Sequence, residues 1–170
     1  MTASRAFEIR HATRADLPGI LEIYNDAVLN TTATYDYEPQ TLESRTAWFD
    51  DHVRTSLPVF VAVEAAGRVV GWSALSHFHN RCGYRFTVEN SVYVTADRRG
   101  RGIGVLLIPP LIDGARALGL HTIIAVIDAA NEPSLRLHAR FGFERVGYFK
   151  EVGYKFGRWL DVVYMELLLR

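Results

Sequence analysis

The chain has 170 residues, of which 49% are hydrophobic, and its 19 Lys and Arg balance 19 Asp and Glu. This composition is typical of a globular domain, and the absence of net charge gives no reason to expect a nucleic-acid partner. Cys82 is the only cysteine, no apolar run approaches the roughly 18 residues of a membrane-spanning helix, and no signal core is visible near the start. We therefore expect one cytoplasmic domain over residues 1–170, without a disulfide or membrane contact.

Apolar spacing and turn residues predict seven strands and four helices. In chain order they are strand 7–11, helix 16–29, helix 42–54, strands 58–64, 69–76 and 86–94, helix 102–118, strand 121–127, helix 132–140, and strands 143–151 and 159–169. The helix that joins strands 86–94 and 121–127 makes these two strands parallel, whereas the other strands suit antiparallel neighbours. The sequence therefore predicts an α+β fold with a mixed, mostly antiparallel sheet flanked by helices.

Two adjacent prolines, Pro109 and Pro110, lie inside the predicted helix 102–118. Neither can donate a hydrogen bond to the carbonyl four residues earlier, and an interior proline costs a helix about 3 kcal/mol or more. We therefore expect this helix to be kinked or split at the pair.

A loop rich in arginine and glycine, RRGRGIG at residues 98–104, joins strand 86–94 to this helix. A dinucleotide-binding motif is excluded because Val105 stands where its third glycine is needed, and a nucleoside-triphosphate loop is excluded because no lysine is near. The unpaired N–H groups of a helix N-terminus, and glycines that allow close approach, still favour a phosphate-bearing anion. Arg99 and Arg101 add positive charge beside them.

Residues 99–104, RGRGIG, match the R-x-x-G-x-G pyrophosphate loop of the GNAT superfamily of acetyl-CoA-dependent N-acetyltransferases. Residues 131–143, NEPSLRLHARFGF, resemble the second coenzyme A segment of that superfamily, and the order of elements is similar along the whole chain. The resemblance implies a GNAT-like sheet in which one parallel strand pair is splayed to admit the coenzyme. It also implies acetyl-CoA as co-substrate, bound by Val92, Tyr93, Val94, Arg99, Gly100, Arg101, Gly102, Ile103, Gly104, Val105, Asn131 and Ser134.

A narrower resemblance is to the phosphinothricin and methionine sulfoximine acetyltransferase branch, carried by IYNDAV at 23–28, TVENSVYV at 87–94 and GYKFGRWLD at 153–161. It implies transfer of acetyl to the α-amine of a glutamate-like amino acid within a homodimer. Glu89 would be the general base, and His138, where much of the superfamily has tyrosine, would be a second catalytic group. The implied acceptor site consists of His79, Asn80, Arg81, Tyr84, Glu89, Asn90 and Ser91.

The residues of this predicted site do not all favour the same acceptor. His79 and Asn80 differ from the methionine sulfoximine enzymes, whereas Arg81 and Tyr84 agree better with the phosphinothricin enzymes. An aminoglycoside, a polyamine or a protein N-terminus is an alternative acceptor. A coenzyme A sensor without turnover is an alternative of a different class, against which the presence of both Glu89 and His138 argues.

His77, His79 and Cys82 are residue types that bind zinc. No fourth ligand accompanies them in the sequence. We therefore expect no metal ion.

Overall fold

The computed structural model describes residues 7–170, so residues 1–6 of the predicted domain lie outside the described part. The elements are β1 (Glu8–His11), α1 (Leu17–Asn30), α2 (Leu42–Thr55), β2 (Val59–Val63), β3 (Val69–His77), β4 (Thr87–Val94), α3 (Ile103–Ala117), β5 (Thr122–Asp128), α4 (Glu132–Arg140), β6 (Glu144–Lys155) and β7 (Arg158–Leu168). The predicted order of strands and helices is confirmed. Over the described residues, no helix is both long enough and apolar enough to cross a membrane.

The seven strands form one sheet in the order β1-β2-β3-β4-β5-β7-β6. β4 and β5 are parallel, as the intervening helix requires, and every other neighbouring pair is antiparallel. The predicted mixed, mostly antiparallel sheet is therefore confirmed.

Helices cover both faces of this sheet. Ile103 and Leu107 of α3 and Leu135 of α4 belong to the apolar cluster on one face, the α3/α4 face. Ile20 of α1 and Phe49 of α2 belong to the cluster on the other, the α1/α2 face. Because both faces are covered, the central strands are buried along most of their length, and a ligand must enter where neighbouring strands separate.

Helix α3 is continuous across Pro109 and Pro110, so the prediction of a split helix is wrong. Buried residues on both sides of the pair, Leu107, Ile108, Leu111 and Ile112, anchor the helix to the sheet. In addition, the Ser73 hydroxyl donates a buried hydrogen bond of 3.1 Å to the carbonyl of Leu107, in the turn before the prolines. Packing and this anchor to β3 offset the cost of the prolines, which remove the donors to the carbonyls of Val105 and Leu106. A kink without a break stays a prediction.

The last hairpin is longer than the sequence predicts. β6 continues past Glu151 to Lys155, instead of ending at residue 151. The register of β6 on β7 shifts between Phe149 and Gly153, where Glu151 has a left-handed φ of 52°. The Asp161 carboxylate accepts a hydrogen bond from the Glu151 N–H at 2.8 Å, which satisfies the backbone inside this bulge.

Candidate active site

β4 and β5 pair over only three residues each, and then separate. Thr87 to Glu89 are in register with Thr122 to Ile124, while β4 runs on to Val94 and β5 to Asp128. The predicted splay is thus confirmed, and beyond Glu89 the edge of β4 that faces β5 has no ladder partner there. The cleft between the strands holds about 100 Å³ and is lined by Ala33, Glu89, Asn90, Ser91, Val92, Tyr93, Ala125, Val126, Ile127, Asp128, Asn131, Ser134 and His138.

The glycine loop lies between β4 and α3. Gly100 and Gly102 have φ values of 74° and 80°, in the left-handed region that favours glycine. Gly102 caps α3 without a side-chain acceptor, so the first N–H groups of the helix have no capping partner. Arg99 and Arg101 are exposed beside them. This arrangement fits the pyrophosphate of a coenzyme.

Two predicted coenzyme residues have a packing role as well. The Ile103 side chain is buried in the core, so only its backbone can face a ligand. A β-carbon at Gly104 would lie 2.8 Å from Cδ2 of Leu137, which shows that this glycine lets α3 approach α4 closely.

The helix that follows β5 begins as the sequence predicts. The Asn131 side chain accepts a hydrogen bond from the Ser134 N–H at 3.2 Å, which confirms Asn131 as the N-cap of α4. Both side chains line the cleft, opposite the β4 edge. The cleft therefore joins β4, β5 and the start of α4, and the glycine loop follows β4 beyond Val94.

Residues of β4 alternate between the two faces of the sheet. Val88 packs in the cluster on the α3/α4 face and Tyr93 in the cluster on the α1/α2 face. Glu89 and Ser91 therefore point toward the α1/α2 face, and Asn90 toward the α3/α4 face.

His138 is 4% exposed, and both of its ring nitrogens have partners. Nδ1 lies 2.8 Å from the Ser134 carbonyl, which can only accept, so Nδ1 carries the proton. Nε2 then accepts a hydrogen bond of 2.9 Å from the Asn90 amide. Burial lowers the pKa of His138 and favours this neutral form. The Asn90 amide oxygen is left buried, with no hydrogen-bond partner among residues 7–170.

Glu89 lies at the closed end of the cleft, on the α1/α2 face. Burial raises the pKa of its carboxyl group, and no charged neighbour offsets that effect. Its cross-strand neighbour is Ser76, whose hydroxyl is 3.3 Å from Nε2 of the buried His52. Since Nδ1 of His52 donates to the Trp48 carbonyl, Nε2 accepts from Ser76.

The other predicted acceptor residues lie outside the cleft. His79, Asn80, Arg81 and Tyr84 are exposed on the connection between β3 and β4, which leads to the Glu89 end of β4. His79 packs edge-on against Tyr84, with ring centroids 5.0 Å apart. No group of three or more His, Cys, Asp or Glu residues that could hold a metal exists within 7–170, the region around His77, His79 and Cys82 included.

Comparison with known proteins places this geometry in a family. The acetyltransferase (GNAT) domain matches residues 9–164. The chain belongs to the GNAT acetyltransferase family. A methionine sulfoximine/methionine sulfone acetyltransferase of Pseudomonas aeruginosa is 52% identical over 161 residues, covering 95% of this chain and 94% of the relative. A phosphinothricin N-acetyltransferase of Streptomyces coelicolor is 39% identical over 168 residues, covering 98% of each chain.

A solved GNAT structure of similar fold contains acetyl-CoA. It is a phosphinothricin acetyltransferase of Sinorhizobium meliloti in complex with acetyl-CoA, with 40% identity and a TM-score of 0.94, covering 97% of this chain and 89% of that one. The present GNAT protein is accordingly an acetyl-CoA-dependent N-acetyltransferase. Its glycine loop, Asn131 and Ser134 fit the coenzyme.

Sequence reasoning missed Lys155, the residue that ties the 31–40 loop of this GNAT enzyme to the sheet. Lys155 is 3% exposed, and its ammonium group donates to the carbonyls of Thr31 and Thr34 at 2.8 and 2.7 Å. The Tyr93 hydroxyl donates to the Ala33 carbonyl at 3.2 Å. These bonds hold the loop over the α1/α2 side of the cleft. A signal was available, since Lys155 is one of only two lysines in the chain.

Arg45 was also missed. It is 2% exposed, and its guanidinium lies 4.4 Å from the ring centroid of Tyr24 and 4.6 Å from that of Trp48. Its one side-chain hydrogen bond goes to Gln40, at 3.0 Å. Burial lowers the pKa of Arg45, and the aromatic faces partly replace the water that the cation has lost. Arg45 thereby packs the aromatic wall behind the cleft.

Proposed function

We propose that this enzyme transfers acetyl from acetyl-CoA to the α-amine of a small glutamate-like amino acid, with Glu89 as the general base for direct attack. The observation that carries the proposal is the position of Glu89. It is a carboxylate at the end of the splayed cleft, and burial raises its pKa with no offsetting cation among residues 7–170. Such a group can take a proton from an ammonium near neutral pH.

The coenzyme side of the proposal rests on residues that fit acetyl-CoA. The backbone of Gly100 to Gly104 with Arg99 and Arg101 would hold the pyrophosphate, and Asn131 and Ser134 would contact the pantetheine arm. When bound, acetyl-CoA supplies an activated acetyl thioester. The free edge of β4 at Val92 to Val94 offers backbone N–H groups to a polarised carbonyl.

The acceptor side rests on Arg81 and on the names of the relatives. An exposed guanidinium on the connection that leads to Glu89 can hold an α-carboxylate bidentately while the adjacent amine faces Glu89. Relatives that match nearly the whole chain are named for methionine sulfoximine and for phosphinothricin, which are amino acids of this class. Tyr84, His79 and Asn80 complete the proposed wall beside Arg81.

A screen of amine acceptors tests the proposal, with free coenzyme A read by a thiol reagent. We expect turnover with methionine sulfoximine, methionine sulfone or phosphinothricin, and none with spermidine, an aminoglycoside or an alanine-initiated peptide. Turnover restricted to those cationic or peptide amines would overturn the acceptor assignment. Acetyl-CoA binding without thiol release for any amine would replace the enzyme with a coenzyme sensor.

We further propose that the enzyme is a cytoplasmic homodimer. Large apolar side chains on the β6–β7 hairpin are between 45% and 62% exposed, namely Tyr148, Phe149, Val152, Tyr154, Phe156 and Trp159. Exposed apolar side chains on a hairpin at the edge of the sheet suit a second copy of the chain. Light scattering should give twice the chain mass for wild type and a smaller mass for Trp159→Glu. A wild-type monomer at micromolar concentration would remove the proposal.

A further inference from the structure

Asp128 ends β5 as a buried carboxylate with one unused oxygen. It is 6% exposed and lines the splayed cleft. Oδ1 accepts a hydrogen bond of 2.8 Å from the Ala130 N–H, whereas Oδ2 is buried without a partner among residues 7–170. A buried carboxylate oxygen without a donor is costly, and it commonly marks a place where a ligand or water binds.

A second unpartnered group lies in the same neighbourhood. The Tyr35 hydroxyl is also buried without a hydrogen-bond partner in the described chain. Burial, followed by the carboxylates of Asp128 and Asp161, raises the pKa of Tyr35 to about 12, so the hydroxyl keeps its proton. The ring is fixed by Gly153 of β6, where a β-carbon would collide with it. One buried acceptor, on the cleft-lining Asp128, and one buried donor, on Tyr35, therefore lack partners among residues 7–170, and the charge of Asp128 acts on Tyr35.

Asp128 and Glu89 share one face of the cleft. Ile123, Ala125 and Ile127 pack on the α3/α4 face, so alternation turns Asp128 to the α1/α2 face, where Glu89 also points. Glu89 is level with Ile124, and Asp128 lies four residues further along β5, an offset of about 13 Å along the strand direction at roughly 3.3 Å per residue. The two carboxylates stand at opposite ends of the same side of the cleft.

This spacing suits a glutamate-like acceptor. Its amine and the substituent at the far end of its side chain are separated by roughly 6 Å, given bond lengths near 1.5 Å. A hydrogen bond of about 3 Å at each end brings the total to about 12 Å. An acceptor whose amine is at Glu89 thus reaches Asp128 with its side-chain terminus.

We propose that Asp128 and Tyr35 bind the far end of the acceptor side chain and select a terminus that is uncharged and both donates and accepts hydrogen bonds. This inference rests on the proposed acceptor class. A sulfoximine meets the requirement, because its N–H donates to Asp128 and its oxygen accepts from Tyr35. A sulfone offers oxygens only, and a phosphinate brings a negative charge toward the carboxylate.

Asp128→Asn tests the selection with little change in shape. The Ala130 N–H needs an acceptor, so the amide oxygen stays there and the amide N–H₂ replaces Oδ2 in the cleft. The ratio of kcat/KM for methionine sulfoximine to that for methionine sulfone should fall by about 10- to 150-fold, the range of a hydrogen bond to a charged group. The kcat/KM for phosphinothricin should rise relative to that for the sulfone. Because the readout is a ratio, a merely destabilised protein does not move it.

Two further variants sharpen the test. Tyr35→Phe should lower kcat/KM for both the sulfoximine and the sulfone and leave their ratio nearly unchanged. Asp161→Asn is the matched control. Asp161 is near Tyr35, but it bonds Tyr148 and the Glu151 N–H and does not line the cleft. The ratio of kcat/KM for the sulfoximine to that for the sulfone should therefore equal that of wild type. An unchanged ratio in Asp128→Asn, as expected if water alone fills the gap, overturns this inference. Failure of wild type to acetylate any of the three amino acids overturns the proposed function instead.

Discussion

The Asn90 amide donates a hydrogen bond of 2.9 Å to Nε2 of His138, across the interface between β4 and α4. Since Glu89 precedes Asn90 in a strand, Glu89 points to the other face of the sheet. The two residues that the sequence suggests as catalytic therefore lie on opposite sides of the cleft. In this arrangement both ring nitrogens of His138 have partners, and burial favours its neutral form. The catalytic role of His138 stays a prediction.

The burial of His138 predicts a dependence of stability on pH. Because its folded pKa lies below the ordinary value near 6.5, the unfolded chain binds this proton more readily. His138 therefore stabilises the folded chain above pH 6.5. As the pH drops from 6.5 toward the lowered pKa, this contribution to the free energy of unfolding falls by up to about 1.4 kcal/mol per pH unit. Measured by urea denaturation, the difference in unfolding free energy between wild type and His138→Gln should shrink as the pH is lowered from about 7.5 to 5.5.

The exposed His121 supplies the control for this measurement. His121→Gln shows how far replacement of an exposed histidine changes the difference in unfolding free energy over the same pH range. A difference for His138→Gln that varies with pH no more than that of His121→Gln would show that His138 is not held neutral by burial.

Glu89→Gln should abolish most of the activity without changing the affinity for acetyl-CoA. The amide keeps the shape of the side chain but cannot accept the amine proton, so kcat should fall by about 10²- to 10⁴-fold. Acetyl-CoA affinity, measured by calorimetry, should be unchanged. Glu144→Gln, on the exposed part of β6, is the matched control and should leave kcat alone. Full activity of Glu89→Gln would assign the base to another group.

The pH profile gives an independent check on Glu89. Burial raises its pKa, and only the ionised carboxylate is a base. Activity should therefore be lost as pH falls through a value above the ordinary 4.3 or so of glutamate. An acidic limb at or below that ordinary value would contradict the buried position of this carboxyl group.

Gly102→Ala should weaken acetyl-CoA binding by about tenfold or more, equivalent to about 1.4 kcal/mol. Its φ of 80° disfavours any residue with a β-carbon, so the loop must shift its N–H groups away from the pyrophosphate. Gly67→Ala is a close control, because Gly67 has a φ of 83° and equally open surroundings but lies in the turn between β2 and β3. Both variants should lose similar stability. Equal acetyl-CoA affinity in the two would show that the loop does not bind the coenzyme.

Arg81→Ala should raise the KM for the amino acid by about 10- to 150-fold, because a charge-assisted bond is worth roughly 1.5–3 kcal/mol. The KM for acetyl-CoA should not change, since the glycine loop lies at the other end of β4. Arg54→Ala removes an equally exposed arginine from α2 and should have no effect. If Arg81→Ala acts equally on an amine without a carboxylate, the arginine does not recognise that group.

Local patterns in the sequence predict the elements of this fold but not the contacts across it. Strand alternation and helical periodicity yield every helix and strand, and the connection through α3 yields the parallel pair. The continuation of β6 escaped prediction because the bulge at Glu151 depends on Asp161. Likewise, the rarity of lysine singles out Lys155, but nothing near it in the sequence indicates bonds to a loop more than a hundred residues away.

Asp128 shows the same limit within the site. It follows the buried run TIIAVI, so its place at a strand end was visible in the sequence. Its unpaired oxygen becomes evident only when β5 separates from β4 and the 31–40 loop covers the gap.

Lys155→Met should release the 31–40 loop. The methionine keeps much of the apolar volume but leaves the carbonyls of Thr31 and Thr34 without a donor, which should cost about 1.5–3 kcal/mol of unfolding free energy. Hydrogen–deuterium exchange should accelerate in residues 31–37 before it does so in the core. The KM for the amino acid should rise, because the loop covers the α1/α2 side of the cleft. The KM for acetyl-CoA should not change.

Lys150→Met is the natural control for the Lys155 experiment, because Lys150 is the other lysine of the chain and is exposed on the same strand. It should leave exchange, stability and both KM values at wild-type levels. If Lys155→Met loses stability while exchange in residues 31–37 and the amino-acid KM match those of Lys150→Met, then the buried ammonium stabilises the hairpin without positioning the loop for the acceptor.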